Sequence, residues 1–418
     1  MIYGIAFDIG TTTIVGALVG IDGCKEEGAA HMQNPQTKWG RDVLSRILAI
    51  ADNADTLNSL QQAAAGACNE IIKKLANPED VQFVTAAGNA TMEHIFLGIS
   101  PAPLAKVPYK PAFKEAKTIK AATIGLVINP EAYVYAFPLI GGFIGGDTVA
   151  GILSTEIHKA KRYNLLIDIG TNNETVLASG KTILATSTAA GPAFEGGTIK
   201  CGMIAKNGAI QGMKIESGKI VLDIIGNTAP EGICGSGIID AIAKLLDAGI
   251  IDRTGRIKNR DEIEDNIANR IKETEERGQG NSFILYKDAK KEIAITQKDV
   301  REIQLAKGAI QAGIKLLLKK ARIAADEIEK IFIAGAFGSN INKQSLVRIG
   351  VIEKEWLDRV VFVGDAALDG AKLALCSEEK RREAEDIALQ TKHLSLSGSA
   401  HFQKEFIKGM EFPPVKFL

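Results

Sequence analysis

The stretch IAFDIGTT at residues 5–12 recurs as LLIDIGTN at residues 165–172. In each copy an apolar run ends in an aspartate, a Gly-Thr pair follows, and a second apolar run begins a few residues later. This pattern predicts a strand, a tight turn and a second strand. Asp8 and Asp168 stand 160 residues apart, which is about the length of one domain. The repeat therefore predicts two related α/β lobes, each carrying one hairpin.

The composition is that of an ordinary globular protein. The 418 residues are 46% hydrophobic and 24% charged, so the chain can build sizeable cores. Fifty basic and fifty acidic residues cancel, which excludes the broad cationic field of a nucleic-acid or anionic-membrane binder. The longest uncharged apolar run, 132–146, is too short to span a membrane, and Asp8 interrupts the apolar stretch that a signal peptide needs. We therefore expect a cytoplasmic protein that binds neither nucleic acid nor membrane.

The hydrophobic pattern outlines further elements around the two hairpins. Helices are predicted at 42–50, 56–75, 237–248 and 299–321, strands at 81–86 and 330–334, and a small antiparallel sheet at 201–225. The stretch 252–291 is dense in charge and poor in core residues, so we expect a solvated surface insertion there.

The two hairpin turns are rich in groups that bind a nucleotide polyphosphate. Phosphate oxygens need N–H and hydroxyl donors, and Mg²⁺ needs one or two carboxylates with retained waters. Asp8 and Asp168 are the candidate metal ligands, and the candidate donors are Gly10, Thr11, Thr12, Thr13, Gly170, Thr171 and Asn172. Taken singly, each hairpin is better explained by an aspartate that forms a turn. Their recurrence favours the phosphate site.

A third glycine-rich turn follows the apolar strand predicted at 330–334. Gly335, Ala336, Phe337 and Gly338 form the kind of turn where backbone approaches a flat ring closely. We therefore expect this turn to border the adenine of a nucleotide.

These segments lie in an order that resembles a known superfamily. The Asp8 turn, 145–147, the Asp168 turn, 335–338 and 364–367 resemble the five signature segments of the ASKHA superfamily of actin, sugar kinases and heat-shock chaperone ATPases. From Tyr3 nearly to its end, the chain resembles more closely the ATP-dependent reductive activators of corrinoid proteins, the RACo-like family. The segments that carry this resemblance are NPQ at 34–36, 40–47, GNATM at 88–92, AAGPAFEG at 189–196, GICGSG at 232–237 and 402–413.

This resemblance implies an α/β protein of two ribonuclease-H-like lobes, the actin-like ATPase fold, around a nucleotide cleft. The first lobe is expected at 1–158, the second at 159–378 with its surface insertion near 252–291, and a C-terminal segment at 379–418 packing back on the first lobe. The implied activity is hydrolysis of ATP, with Mg²⁺, coupled to reduction of Co(II) to Co(I) in a corrinoid protein or corrinoid-dependent methyltransferase system. A homodimer is also implied.

Two departures from the activator pattern concern electron transfer. Such activators usually carry a ferredoxin-like iron–sulfur domain, and this chain begins at the ATPase portion, so we expect a separate low-potential electron donor. Related activators of 2-hydroxyacyl-CoA dehydratases place a cluster cysteine just before an Ala-Ala-Gly turn, where this chain has Thr188. The five cysteines also lack CxxC spacing, so we expect reduced thiols and no intrinsic iron–sulfur cluster.

Three more side chains are candidates for the nucleotide site. Asp147 follows a glycine pair, and the resemblance implies that it faces the γ-phosphate and orients the attacking water. A simple helix N-cap explains Asp147 equally well. Gln304 and Lys307 lie three residues apart on one predicted helix and so share a face, from which they could border the ribose and adenine. Solvent exposure is the slightly favoured alternative for this pair.

Two other functions would use the same turns. A small-molecule kinase needs a base near the γ-phosphate, for which Asp147 would serve, and a chaperone-like reactivating ATPase needs lobe closure alone. The acceptor distinguishes these functions, because turnover stimulated by a small metabolite indicates a kinase and turnover stimulated by a corrinoid protein indicates an activator.

Overall fold

The computed structural model describes residues 2–274, 276, 278–335, 341–396 and 398–414. The chain forms two compact units. The first holds Met1–Leu166, Val176–Thr186 and Asp365–Ser395, and the second holds Ile167–Thr175, Ser187–Gly364 and Leu396–Leu418. Each unit is therefore built from three separate segments, whereas we expected a second lobe continuous over 159–378 and a first lobe completed only by the C-terminal segment.

Strands and helices alternate along the chain. The strands are β1 (Tyr3–Ile9), β2 (Thr13–Gly20), β3 (Lys25–Gln33), β4 (Val81–Gly88), β5 (Lys117–Lys120), β6 (Tyr133–Ala136), β7 (Asn164–Ile169), β8 (Asn172–Ser179), β9 (Thr182–Ala189), β10 (Ala209–Glu216), β11 (Lys219–Ile224), β12 (Gly232–Ile233), β13 (Ile271–Lys272), β14 (Ser282–Lys287), β15 (Glu292–Thr296), β16 (Lys330–Ala334), β17 (Val360–Gly364) and β18 (Lys392–His393).

The helices, which include the predicted ones, are α1 (Val43–Asp52), α2 (Thr56–Leu75), α3 (Ala90–Phe96), α4 (Gly146–Thr155), α5 (Gly235–Asp247), α6 (Gln297–Ala321), α7 (Lys343–Ile349), α8 (Ala366–Cys376), α9 (Glu378–Gln390) and α10 (Ala400–Met410). In the part of the chain that the structure describes, no helix is long and apolar enough to cross a membrane.

The first sheet has the strand order β3-β2-β1-β4-β6-β5. β1, β2 and β3 pair antiparallel, whereas β4 pairs parallel with both β1 and β6. Ile5 and Phe7 of β1 are fully buried and belong to a core that also includes Leu60 and Ile71 of α2. α8 also packs against β1, where a side chain at Gly4 would meet Leu375 at 2.9 Å. Burial on both faces explains why β1 reads as a continuous apolar run.

The second sheet has the order β17-β16-β7-β8-β9-β18. Its strands β7, β8 and β9 follow one another as β1, β2 and β3 do, and β16 lies beside β7 as β4 lies beside β1. Asp8 on β1 and Asp168 on β7 therefore occupy matching positions in two sheets of the same order. The α/β class predicted from the repeat is confirmed.

The C-terminal segment differs from the expectation. We expected 379–418 to pack on the first lobe; its first part, as far as Ser395, does belong to the first unit, whereas the described part of Leu396–Leu418 belongs to the second. α10 packs on α6, and the two helices meet at a pair of glycines: a Cβ at Gly409 would stand 3.1 Å from the Cα of Gly308. Two helix backbones can approach this closely only where neither residue has a side chain, so this facing pair of glycines sets where α10 packs on α6.

The charged stretch 252–291 is more ordered than expected. It contributes β13 and β14 to a three-stranded sheet with β15, and Ile271 and Phe283 of those strands are fully buried. The expectation of a core-poor surface insertion is therefore wrong for this part. Because this stretch is dense in charge, the few inward-facing apolar positions could not be recognised in the sequence pattern.

The cysteines also differ from the expectation of reduced thiols throughout. Cys24 and Cys376, which are 352 residues apart in sequence, form a disulfide within the first unit. Cys68, Cys201 and Cys234 are free. The pairing joins the start of β3 to the end of α8, so it depends on tertiary packing that sequence spacing does not reveal.

Two helix glycines of the first unit test the packing of α8 on α4. A Cβ at Gly370 would lie 2.1 Å from the carbonyl oxygen of Ala150, whereas a Cβ at the exposed Gly66 meets nothing within 4 Å. We expect Gly370→Ala to lower the free energy of unfolding by about 1–3 kcal/mol through overpacking. Gly66→Ala, the matched control, should raise it by about 0.5–1 kcal/mol through higher helix propensity. Urea titration measures both, and equal effects would contradict the packing assignment.

Candidate functional site

The turn between β1 and β2 is held from one side. The carbonyl oxygen of Gly10 accepts a hydrogen bond from Asn34 Nδ2 at 2.8 Å, and that of Thr12 accepts one from Asn34 N at 2.8 Å. Between them, the carbonyl oxygen of Thr11 accepts from Arg46 Nη2 at 2.5 Å. Three successive carbonyls therefore point toward the same two residues.

This arrangement fixes the direction of the turn's amides. A trans peptide places its C=O and the following N–H on opposite sides, so the amides of Thr11 and Thr12 point away from Asn34 and Arg46. Consecutive amides aimed outward form a concavity that suits an anion. Gly10 permits the turn, because a Cβ there would lie 2.6 Å from the carbonyl oxygen of Thr13. This direction of the Thr11 and Thr12 amides suits phosphate oxygens, and binding of phosphate by the first turn stays a prediction.

Arg46 supports the turn between β1 and β2, a role that the sequence reasoning missed. Its guanidinium is fully buried on α1 and also donates to Gly40 O at 3.0 Å and to Gln36 Oε1 at 2.9 Å. Burial lowers the pKa of Arg46 to about 10, against the opposing charge of Asp42. The positive charge drawn toward the Thr11 carbonyl polarises that peptide and strengthens the Thr12 amide as a donor. The sequence did offer one sign of this buried role, because Arg46 stands next to the apolar Ile47 within a predicted helix.

Asp147 lies in the first turn of α4, and Gly145 is the N-cap. Asp147 Oδ1 accepts from the backbone N of Thr148 at 2.6 Å, so its carboxylate does not cap the helix in the ordinary way. A Cβ at Gly145 would lie 2.3 Å from the carbonyl oxygen of Gly88, so α4 begins in direct contact with the end of β4. Burial raises the pKa of Asp147 to about 6.

The second turn, between β7 and β8, is supported differently. Gly170 N donates to Asn173 Oδ1 at 3.2 Å, and Thr171 Oγ1 donates to Glu195 Oε1 at 3.0 Å. Thr188, which stands at the cysteine position of related activators, is buried and donates from Oγ1 to the carbonyl oxygen of Asn173 at 3.2 Å. Asn172 is the first residue of β8. Thr188 therefore has a structural role behind this turn.

Gly335 brings the end of β16 against β7 within the second unit. Its φ is +119°, and a Cβ there would lie 2.3 Å from the carbonyl oxygen of Ile169 and 3.4 Å from Asp168 Oδ1. Only glycine allows this approach and this backbone angle together. The other predicted members of the turn, Ala336, Phe337 and Gly338, lie outside the described residues.

Gln304 and Lys307 anchor the C-terminal segment. Both are buried, contrary to the favoured expectation of solvent exposure. Gln304 Nε2 donates to Met410 O at 2.9 Å, and Lys307 Nζ donates to Glu411 O at 2.7 Å and to Gly409 O. Burial lowers the pKa of Lys307 to about 7. Their donors hold the backbone that follows α10, and the expected contact with ribose and adenine stays a prediction.

Among the described residues, no group of three or more His, Cys, Asp or Glu side chains is placed to hold a metal ion. A magnesium ion that arrives with a nucleotide needs fewer ligands, because phosphate oxygens and waters complete its shell. Asp8 and Asp168 each lie two residues before the glycine of a turn, and their role as Mg²⁺ ligands stays a prediction.

Family models match almost the entire chain. A model described as the C-terminal domain of RACo, the ASKHA domain, matches residues 162–417. A model described as the RACo middle region matches residues 3–160. The ASKHA match confirms the predicted actin-like ATPase fold.

Individual relatives agree with the family models. The chain is 37% identical to the corrinoid activation enzyme RamQ of Eubacterium limosum, over 98% of this chain and 70% of that protein. It is 29% identical to a [Co(II) methylated amine-specific corrinoid protein] reductase of Methanosarcina barkeri, over 65% of this chain and 50% of that protein. A solved structure of a reductive activator for corrinoid, iron–sulfur protein matches 99% of this chain and 66% of its own length, with 35% identity and a TM-score of 0.90.

The contacts of Arg46 predict a specific loss on substitution. Arg46→Lys keeps the charge but cannot span Thr11 O, Gly40 O and Gln36 Oε1 at once, so we expect the free energy of unfolding to fall by about 2 kcal/mol or more. Affinity for Mg-ATP should fall about tenfold, a loss of about 1.4 kcal/mol. Chemical denaturation and calorimetry measure the two effects. Arg41→Lys, at an exposed position, is the matched control, and equal behaviour of both variants would contradict the assignment.

Proposed function

The chain belongs to the RACo family of reductive activators of corrinoid proteins, and we propose that it hydrolyses Mg-ATP to promote reduction of Co(II) to Co(I) in a partner corrinoid protein. The observation that carries the ATP part is the turn between β1 and β2, in which the carbonyls of Gly10, Thr11 and Thr12 are all held from one side. The names of the relatives support the corrinoid part.

Each residue of the two turns has a distinct proposed task. The amides of Thr11 and Thr12 bind phosphate oxygens, with the peptide between them polarised by Arg46. The backbone amides of Thr171 and Asn172 supply further donors from the second turn, and Gly170 shapes that turn while its own N–H donates to Asn173. Asp8 and Asp168 hold the Mg²⁺ through its waters, and the ion offsets phosphate charge when bound. Asp147 orients the attacking water as a carboxylate that accepts a hydrogen bond.

Reduction of cobalt requires electrons, which we propose come from a separate low-potential donor. An activator promotes such a transfer by binding the reduced corrinoid protein more tightly than the resting form. A preference of about 5.5 kcal/mol inverts a population from 1:99 to 99:1. For one electron, at about 59 mV per tenfold, this equals a shift in reduction potential of about 230 mV. ATP hydrolysis then releases the product complex.

We expect Asp8→Asn and Asp168→Asn each to lower the turnover number for ATP by about 10²-fold, because each removes a charge that acts on the metal and the developing phosphate charge. Asp22→Asn, on an exposed turn, is the control and should hydrolyse ATP normally. Phosphate release and thermal unfolding are measured in parallel. Full ATPase activity in both aspartate variants would exclude the assigned phosphate site.

The corrinoid part is tested by anaerobic absorption spectroscopy. A corrinoid methyltransfer protein is mixed with a ferredoxin or chemical reductant, with and without this protein and Mg-ATP. We expect Co(I) to form faster when both are present. If the rate of Co(I) formation does not depend on this protein or on Mg-ATP, and a small metabolite stimulates ATP turnover, the small-molecule kinase is favoured.

A further inference from the structure

Glu93 is a buried carboxyl group that the proposed mechanism does not use. It lies on α3, its side chain is 1% exposed, and its Oε1 accepts from the backbone N of Gly88 at 3.2 Å. Its other oxygen, Oε2, is buried and has no hydrogen-bond partner. A buried carboxylate oxygen without a donor is costly, whereas a protonated carboxyl oxygen is itself a donor.

The start of α4 lies directly against this carboxyl group. A Cβ at Gly146 would stand 2.0 Å from Glu93 Oε1, so only a glycine lets the helix begin there. The next residue is Asp147, the proposed water-orienting carboxylate. All of these residues belong to the first unit.

Resting on the function proposed above, we infer that Glu93 is a positioning residue that stays protonated and donates a hydrogen bond from its carboxyl group to the carboxylate of Asp147. The pair then carries one negative charge, held on the member that faces the phosphate. Glu93 fixes the Asp147 side chain, and Asp147 accepts the hydrogen bond of the attacking water.

The electrostatic surroundings agree with this division of charge. Burial, and then the charge of Asp147, raise the pKa of Glu93 well above its usual range, against hydrogen bonds from the backbone of Gly88 and Gly146. Tyr135 of β6 is also under the electrostatic influence of Glu93, and burial foremost raises the pKa of its phenol, which leaves it neutral. Among the described neighbours of Glu93, Asp147 is thus the group that carries the charge at neutral pH.

The raised pKa of Glu93 makes the free energy of unfolding depend on pH, and proton linkage gives the direction of that dependence. An unfolded chain releases the Glu93 proton near pH 4.3, whereas the folded protein keeps it. The stabilisation from this group is therefore fully present below about pH 4.3 and is lost as the pH rises toward the raised pKa. Glu93→Gln mimics the protonated form at every pH and lacks this loss. Relative to the variant, the wild type should lose stability steadily as the pH rises.

The activity experiment compares Glu93→Ala, Glu93→Gln and the exposed control Glu79→Gln over a range of pH. We expect Glu93→Ala to lower kcat for ATP by about tenfold or more with little change in KM, because Asp147 loses its fixed position. Glu93→Gln should restore most of kcat. The wild type should lose activity on the alkaline side as Glu93 ionises, and Glu93→Gln should not. An alkaline fall that Glu93→Gln leaves unchanged would overturn the inference.

A second experiment needs no ATP, so it separates this inference from the proposed function. Thermal unfolding of the wild type, Glu93→Gln, Asp147→Asn and the double variant is followed from pH 5 to 9. We expect the gap between Glu93→Gln and wild type to widen with pH, and the shifts of the two substitutions to be non-additive. A pH-independent gap, or strict additivity, would contradict the shared proton even if ATPase activity is absent from every sample.

Discussion

The turn between β1 and β2 depends on one constraint, which is that buried carbonyl groups need partners. Asn34 and Arg46 donate hydrogen bonds to three successive carbonyls from one side, and this fixes the orientation of the turn's peptide groups. The constraint extends outward, since Arg46 also binds Gln36 and Gly40 and so ties α1 and the segment before it to the turn. A change at α1 therefore reaches the phosphate donors through a chain of direct hydrogen bonds.

Glycines, which have no side chain, allow the close backbone contacts that position Asp147 and Asp168. Gly145 and Gly146 let α4 begin against the end of β4 and the carboxyl group of Glu93, and this contact sets the position of Asp147. Gly335 plays the same part in the second unit, where it lets β16 end against Asp168 and Ile169. In each case a methyl group would force the backbone apart by about an ångström or more, because these neighbours are backbone atoms or a held carboxylate.

The C-terminal segment shows how tertiary contacts redirect residues that a sequence pattern marks as functional. Gln304 and Lys307 share a face of α6, as their spacing predicts, and that face is covered by the chain after α10. Arg348 adds a third contact, to Pro413 O at 3.0 Å. Buried amide and ammonium donors need acceptors, and the carbonyls of an irregular segment provide them without any ligand.

The sequence by itself determined the α/β class, the two hairpins and the positions of the strongly periodic helices and strands, because these depend on local periodicity and on the recurrence of one short pattern. It also marked Asp8, Asp168 and their turns, since aspartate, glycine and threonine at that spacing recur 160 residues apart. The tertiary structure alone decided which residues support those groups. The partnership of Arg46 with Thr11, that of Cys24 with Cys376 and the burial of Glu93 beside Gly146 join residues far apart in the chain. Such contacts follow from packing and from the need to satisfy buried polar groups, which no local pattern encodes.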